Sequence, residues 1–248
     1  MSRLVLITGG SRGIGAATAL LAARQGYAVA VNYSANSLAA DEVVRQIRQA
    51  GGQAMTVQAD VSNEAQVVAM FKKIDAELGR VTALVNNAGI VEQTARVDAM
   101  TLQRLQRMFE VNVFGSFLCA REAVKRMSTR YGGAGGSIVN VSSAASRLGS
   151  PGQYVDYASA KGAIDTFTLG LAKEVAAEGI RVNAVRPGII DTGIHASGGL
   201  PDRVRDVAPK LPMGRAGSAE EVAESIVWLL GDGASYTTGA LLDVAGGR

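Results

Sequence analysis

Short apolar runs rich in valine, isoleucine and alanine alternate along the chain with longer segments whose apolar residues recur at helical spacing. Strands joined by crossover helices write this alternation into a sequence. Seven runs read as strands: Leu4 to Thr8, Ala28 to Tyr33, Gln53 to Gln58, Ala83 to Asn86, Ser137 to Ser142, Arg181 to Arg186 and Ala240 to Val244. The segments Gly13 to Gln25, Leu38 to Ala50, Glu64 to Leu78, Leu102 to Met127, Tyr154 to Glu178 and Ala219 to Leu230 read as helices. Parallel sheets with helices on their faces use strands of this small aliphatic kind. Asn63 and Ser218 stand where an N-cap belongs, and Gly26, Gly51, Gly79 and Gly179 stand where a left-handed residue closes a helix. The prediction is an α/β chain on one parallel seven-stranded sheet. No linker or repeat divides it, so residues 1–248 are expected to form a single domain. Residues 191–217 break the pattern with a long excursion rich in proline, glycine and charge, and such excursions are often lids.

Composition narrows the function classes. The net charge of +3 comes from 25 basic and 22 acidic residues with the signs interspersed, which offers no basic stripe to nucleic acid. Cys119 is the one cysteine and His195 the one histidine, so neither a disulfide framework nor a transition-metal centre is expected. Cys119 reads as core or subunit interface, and His195 as a solvent-facing residue of the lid. No apolar run is long enough to span a bilayer. Leu4 to Ile7 passes directly into Thr8-Gly9-Gly10 without a cleavage-like flank, so no secretory leader is expected and a cytoplasmic, reducing setting is. Glycine supplies 30 of 248 residues, well above its usual share of roughly 7%. That excess asks where the backbone must come close to something.

One answer is the first turn. Thr8-Gly9-Gly10-Ser11-Arg12-Gly13-Ile14-Gly15 joins a strand to a helix, the context of a phosphate cradle. Glycines let backbone amides approach a pyrophosphate, and the helix N-terminus adds unpaired N–H groups and partial positive charge. The spacing is T-G-x-x-x-G-x-G, a relative of the G-x-G-x-x-G fingerprint and not that fingerprint itself. A dinucleotide without the extra phosphate normally meets a carboxylate at the end of the second strand; here the chain reads Asn32-Tyr33-Ser34. Neutral donors at Asn32, Tyr33 and Ser34, with Arg12 in the turn, are arranged to accept a 2′-phosphate, so NADP(H) is the expected cofactor.

A second answer is chemical. Tyr157 and Lys161 are four apart in a helical segment and leave one face of it. An ammonium beside a phenol favours phenolate and is expected to lower the tyrosine pKa by about 1 to 3 units. Alone, such a pair arises by chance in many chains. It gains weight from the phosphate turn, from Ser142-Ser143 at the end of one strand and from Asn86-Asn87-Ala88-Gly89 at the end of another.

Together these residues resemble the short-chain dehydrogenase/reductase family. The resemblance covers essentially the whole chain: Thr8 to Gly15, Asp60-Val61, Asn86 to Gly89, Asn112, Ser143, Tyr157-Ala158-Ser159-Ala160-Lys161, Pro187-Gly188 and Thr192 follow in the family's order and spacing. It implies a doubly wound, Rossmann-type fold with a flexible lid. In that fold Ser143 would hold the substrate oxygen, Tyr157 would move its proton, and Lys161 would bind the nicotinamide ribose while lowering the tyrosine pKa. Asn112 would keep a water in the proton path to Lys161. The first turn, with Gly9, Ser11, Arg12, Gly13, Ile14 and Gly15, would cradle the phosphates. Asp60 and Val61 would face the adenine, Asn87, Ala88 and Gly89 would pack along the cofactor, and Ile190 and Thr192, after Pro187 and Gly188, would meet the carboxamide. A homotetramer is also implied. One departure is visible: Tyr157 follows Ser143 by 14 positions, one more than in many members, so the turn between them is expected to bulge near the substrate.

The reading is an oxidoreductase that moves a hydride between a nicotinamide and a carbonyl or alcohol, with a small polar ketone or sugar favoured. A 3-oxoacyl-carrier-protein reductase is the alternative. Lys125, Arg126 and Arg130 would suit an acidic carrier, whereas Glu178 stands where that branch tends to be basic. A silent dinucleotide-binding regulator is the rival of another class, and it has no chemical need for Asn112, Ser143, Tyr157 and Lys161 together.

Overall fold

The computed structural model describes residues 3–248. Its strands are β1 (Leu4–Ile7), β2 (Ala28–Tyr33), β3 (Ala54–Gln58), β4 (Ala83–Asn86), β5 (Gly136–Val141), β6 (Ile180–Pro187) and β7 (Leu241–Val244). They form one sheet in the order β3-β2-β1-β4-β5-β6-β7, and each pair is parallel. The helices are α1 (Gly13–Arg24), α2 (Ser37–Gln49), α3 (Glu64–Glu77), α4 (Leu102–Phe109), α5 (Gly115–Met127), α6 (Ala145–Leu148), α7 (Val155–Val175), α8 (Ile194–Ser197), α9 (Arg203–Val207) and α10 (Ala219–Leu230). All seven expected strands are present, with ends shifted by a residue or so.

Successive strand residues point to opposite faces, so an apolar run feeds two cores at once. Val5, Ile7, Val29 and Val31 join the side chains of α1, α2 and α10 on one face. Leu4, Leu6, Ala28 and Ala30 meet α3, α5 and α7 on the other, around the fully buried Phe71, Met70 and Ile74. This two-sided burial defines the doubly wound architecture. Asn63 caps α3 by accepting from Gln66 N at 3.1 Å, and Ser218 with Glu221 completes a capping box on α10. Gly26, Gly51, Gly79 and Gly179 all close their helices at positive φ.

Three segments differ from the sequence pattern. Leu102 to Met127 is not one regular helix: between α4 and α5, residues Glu110–Phe114 widen into a π turn. One inserted residue hardly disturbs an apolar spacing, which is why the pattern does not reveal it; such bulges tend to mark functional positions. Between β5 and α7, the chain forms the short helix α6 and then a tight bend with Ser150 at φ 45°. This is the expected bulge after Ser143, and Ser150 is the one residue other than glycine at positive φ among those described. Residues 191–217 carry α8 and α9 and return to the sheet by a bridge between Ile190 and Gly217.

Candidate active site

The order of the sheet reverses direction between β1 and β4, and a crevice must open at the carboxyl ends of those strands. A cleft of about 610 Å³ lies there. Thr8 ties its two walls together: its hydroxyl accepts from the N–H groups of Asn87 and Ala88, each at 3.0 Å. The Asn87 side chain answers by donating to Thr8 O at 2.9 Å and Gly9 O at 3.0 Å. The sequence reading passed over Thr8 as a functional position, although its place directly before the first glycine was a signal.

Gly9, Ser11, Arg12, Gly13 and Ile14 line the cleft, together with Asn87, Ala88 and Gly89 across from them. Gly9 sits at φ 60°, and a Cβ there would stand 3.0 Å from Ala88 Cα. Gly15 behaves differently from expectation. It is buried beneath the turn and does not line the cleft; a Cβ on it would stand 2.5 Å from Gly9 O, so its part is to let α1 pack under the turn. No side chain caps the N-terminus of α1 and no acidic residue stands in its first turn, whereas α2, α3 and α10 all carry a side-chain cap. An uncapped helix end behind a glycine turn leaves N–H donors for a phosphate. These residues fit a dinucleotide.

β2 ends on Asn32-Tyr33 and is followed by Ser34, without a carboxylate of its own. Tyr33 and Ser34 line it beside the exposed Arg12. Asn32 also borders the cleft but corrects the expectation of a free donor. It is 1% exposed, its Nδ2 donates to Ala59 O at 3.1 Å and Val57 O at 3.3 Å, and its Oδ1 accepts from Gly9 N at 3.2 Å. Its amide therefore clamps the turn to β2 and β3. Asp60 and Val61 line the same end. Burial raises the Asp60 pKa, but hydrogen bonds from Ser62 and the charge of Arg107 outweigh this and hold it below the ordinary carboxylate value.

At the other end, β5 delivers Ser142 and Ser143, and the start of α7 delivers Tyr157 and Lys161. The two serines are not equivalent. Ser142 is buried and donates to Asp165 Oδ1 at 2.6 Å, whereas Ser143 Oγ accepts from Ala145 N at 3.1 Å and keeps its proton for another partner. The two tyrosines differ likewise, since Tyr154 donates to Gly198 O at 2.9 Å. Lys161 Nζ lies 5.6 Å from the Tyr157 ring centroid and donates to Val141 O at 2.7 Å.

The expected lowering of the tyrosine pKa is not met. Burial pushes Tyr157 up to about 12, with only the Ser143 hydroxyl pulling the other way. Burial also pushes Lys161 down to about 8 against the charge of Asp165. In a desolvated pocket the penalty on each charged form exceeds what its neighbours return. A protonated phenol at neutral pH is a proton donor, the form that carbonyl reduction needs.

Asn112 lies in the π turn, fully buried, and does not line the cleft. Its Nδ2 donates to Met108 O and Ile90 O, both at 3.0 Å, and its Oδ1 accepts from Ile90 N at 3.2 Å. The side chain thus fixes the chain just after Gly89, behind Lys161. Pro187, Gly188, Ile190 and Thr192 line the cleft at the end of β6. His195 lines it too, half-buried, with Nε2 2.9 Å from Ile190 O, so the solvent-facing reading is corrected. Burial and the charge of Arg203 hold its pKa down against the Ile190 carbonyl and Asp191. Cys119 is core: fully buried, with burial pushing its thiol up to about 12.

An ion pair that the sequence could not reveal braces the start of α7. Asp156, its side chain fully shielded, accepts from Arg104 Nε of α4 at 2.8 Å and from Tyr157 N at 2.9 Å. Among the described residues no helix is long and apolar enough to cross a membrane, and no group of three or more His, Cys, Asp or Glu could hold a metal ion.

A family model described as enoyl-(acyl carrier protein) reductase matches residues 9–248. An Escherichia coli K12 protein described as the uncharacterized oxidoreductase YgfF is 62% identical over 245 residues, 99% of each chain. The cis-4-hydroxycyclohexanecarboxylate dehydrogenase of Sinomonas cyclohexanicum is 42% identical over 248 residues, 99% of this chain and 96% of that one. A solved structure of a Serratia marcescens short-chain dehydrogenase/reductase mutant superposes with a TM-score of 0.90 at 32% identity, covering 100% of this chain and 98% of the other. The chain belongs to the short-chain dehydrogenase/reductase family. It is an oxidoreductase, and its family works with a nicotinamide dinucleotide.

Proposed function

We propose that the protein is an NADP(H)-dependent reductase of small polar ketones, running in reverse as an alcohol dehydrogenase, with Tyr157 as the proton-transferring residue. The observation that carries this reading is the meeting, in one cleft, of the Tyr157 and Ser143 hydroxyls with an uncapped, glycine-cradled helix end. Bound reduced nicotinamide supplies the hydride. Ser143 and Tyr157 donate hydrogen bonds to the carbonyl oxygen, and Tyr157 gives it a proton as negative charge develops there. Lys161 holds the ribose and the charge balance behind the phenol, and Asn112 holds the wall on which Lys161 rests. The Sinomonas relative's name, a dehydrogenase of a small cyclic hydroxy acid, is in keeping with a small polar substrate. A reductase of carrier-bound 3-oxoacyl chains is the second reading, and relatives named 3-oxoacyl-[acyl-carrier-protein] reductase, 40% and 35% identical to this chain, support it.

In this reading the chain is one domain whose segment 191–217 covers the substrate, and it works in the cytoplasm as a homotetramer. Phe114, Phe117, Leu169 and Trp228 stay exposed on α5, α7, α10 and the turn before α5, where paired helices would cover them.

Cofactor choice rests on Arg12, Tyr33 and Ser34, with no carboxylate in the chain at the end of β2. A charge-assisted hydrogen bond to the 2′-phosphate contributes roughly 1.5 to 3 kcal/mol, so about a ten- to hundredfold preference for NADP(H) over NAD(H) is expected. Arg12→Ala removes most of that ratio by weakening NADP(H) alone. Steady-state kinetics with both cofactors on parent and variant decide it: a parent that prefers NAD(H), or a variant with an unchanged ratio, makes Arg12 a surface charge only.

A further inference from the structure

Of the four arginines that line the cleft, Arg12 stands in the phosphate turn and Arg107 faces Asp60, which leaves the guanidinium groups of Arg203 and Arg248 without a part in the chemistry above. Arg203, on α9, is half-buried; its Nη1 donates to Gln153 Oε1 at 2.8 Å and its guanidinium carbon lies 5.6 Å from the centroid of the Tyr154 ring. Arg248 stands exposed at the rim, anchored by its main chain: its N–H donates to Ala245 O at 3.2 Å and its main-chain oxygen accepts from Arg147 Nη2 at 3.2 Å. Both line the cleft. Their contacts Tyr154 and Arg147 stand three residues before Tyr157 and four residues after Ser143 in the chain. Burial holds the Arg248 pKa below the usual arginine value and the like charge of Arg203 adds to it, so the two cations feel one another.

Neither guanidinium has a carboxylate side chain at ion-pair distance among the described residues. The two acids beside Arg203 in the chain, Asp202 and Asp206, both pair with Arg205, at 2.9 Å and 3.0 Å. The cleft lining contains one carboxylate side chain, that of Asp60, and it faces Arg107 at the opposite end. Two like charges turned on one crevice repel unless an anion joins them. Strand spacing keeps Arg248 away from the dinucleotide's phosphates. Arg248 follows β7, which lies four places from β1 and five from β2 in the sheet; at about 4.8 Å per strand these are separations of about 19 and 24 Å from the phosphate turn and the 2′-phosphate corner.

We propose that Arg203 and Arg248 form the recognition site for an anionic group on the substrate, a carboxylate or a phosphate monoester, so that the enzyme acts on a short oxo acid or phosphorylated ketone and its hydroxy counterpart. This rests on the hydride-transfer reading and narrows it, because an uncharged sugar or an apolar acyl chain would leave both guanidinium groups without a partner. Arginine suits the task through its planar fork of donors.

The test uses two matched pairs, levulinate with levulinamide and dihydroxyacetone phosphate with dihydroxyacetone. Calorimetric titration into enzyme loaded with oxidised NADP measures binding without turnover, and reduced NADP then measures kcat/KM. In at least one pair the anionic member is expected to bind and react better by roughly ten- to a hundredfold. Which pair shows it identifies the anion. Arg203→Gln/Arg248→Gln should collapse that ratio by raising KM and Kd for the anionic member, and Arg248→Gln alone, at an exposed side chain without a hydrogen bond, should remove part of it without risk to folding. Equal binding within both pairs, or a ratio that survives the double substitution, overturns the proposal. Anion preference in the titration without any oxidation of reduced NADP would instead sink the hydride-transfer reading and leave the anion site standing.

Discussion

Tyr157→Phe is expected to lower kcat for ketone reduction by roughly two to four orders of magnitude while leaving the cofactor Kd within about twofold, the size of a lost general acid. The substitution deletes one oxygen and keeps the ring that packs against Ala160 and Met108. In the proposed reading, cofactor binding belongs to the turn after β1, to the end of β2 and to Lys161, none of which the substitution touches. The pH dependence follows from the same geometry. With Tyr157 pushed up to about 12, the phenol stays protonated through the neutral range, so no limb of the reduction profile belongs to it there. Lys161, pushed down to about 8, carries its charge below that pH and loses it above. Reduction should therefore hold level near neutrality and fall above about pH 8, while alcohol oxidation, which needs phenolate, climbs with pH. Residual reduction in the variant above a few per cent of the parent rate, or a parent profile that rises through pH 8, contradicts the assignment.

Arg104→Ala should be the most damaging change outside the catalytic residues. It strips the counter-charge from Asp156, whose side chain has no exposure at all, and Arg104 itself is only 14% exposed. Asp156 lies in the first turn of α7, where the helix dipole helps a carboxylate. That help amounts to about 0.3 to 1 kcal/mol, too little to offset the roughly 3 to 5 kcal/mol that removing one partner of a buried pair costs. For a chain of this length the corresponding fall in Tm is about 10 °C. The double variant Arg104→Ala/Asp156→Ala should recover part of the loss, since no buried charge then lacks a partner. Thermal melts of the three proteins decide it: a single variant within about 2 °C of the parent would mean that Asp156 finds water or sheds its charge by taking up a proton.

Most of the frame was legible because it follows from local rules. Two-sided apolar runs specify parallel strands, Asn63 and Ser218 announce helix starts, and Gly26, Gly51, Gly79 and Gly179 announce helix ends. The residues that stand at strand ends around the cleft were legible too, as Ser143, Asn87 to Gly89 and Gly9 all line it. What escaped depends on separations that sequence order does not encode. The pairing of Arg104 with Asp156 spans 52 positions. The π turn at Asn112 is an energetic choice between nearly equal helices, settled by the side chain's hydrogen bonds to Ile90 and Met108. The pKa of Tyr157 was misjudged because helical spacing fixes the distance to Lys161 but says nothing about desolvation. Asn32 was misread for a related reason: position names a donor, and only packing shows whether that donor is already taken.

Direct hydride transfer in this cleft leaves an isotopic trace. Enzyme is mixed with reduced NADP fully deuterated at the transferring carbon and with the best ketone of the panel, and the alcohol is analysed by mass spectrometry. One deuterium on the carbinol carbon of the product is expected, with oxidation of an equal amount of cofactor. An alcohol without deuterium at that carbon, or a reduced cofactor that persists unchanged beside every carbonyl compound offered, would contradict it.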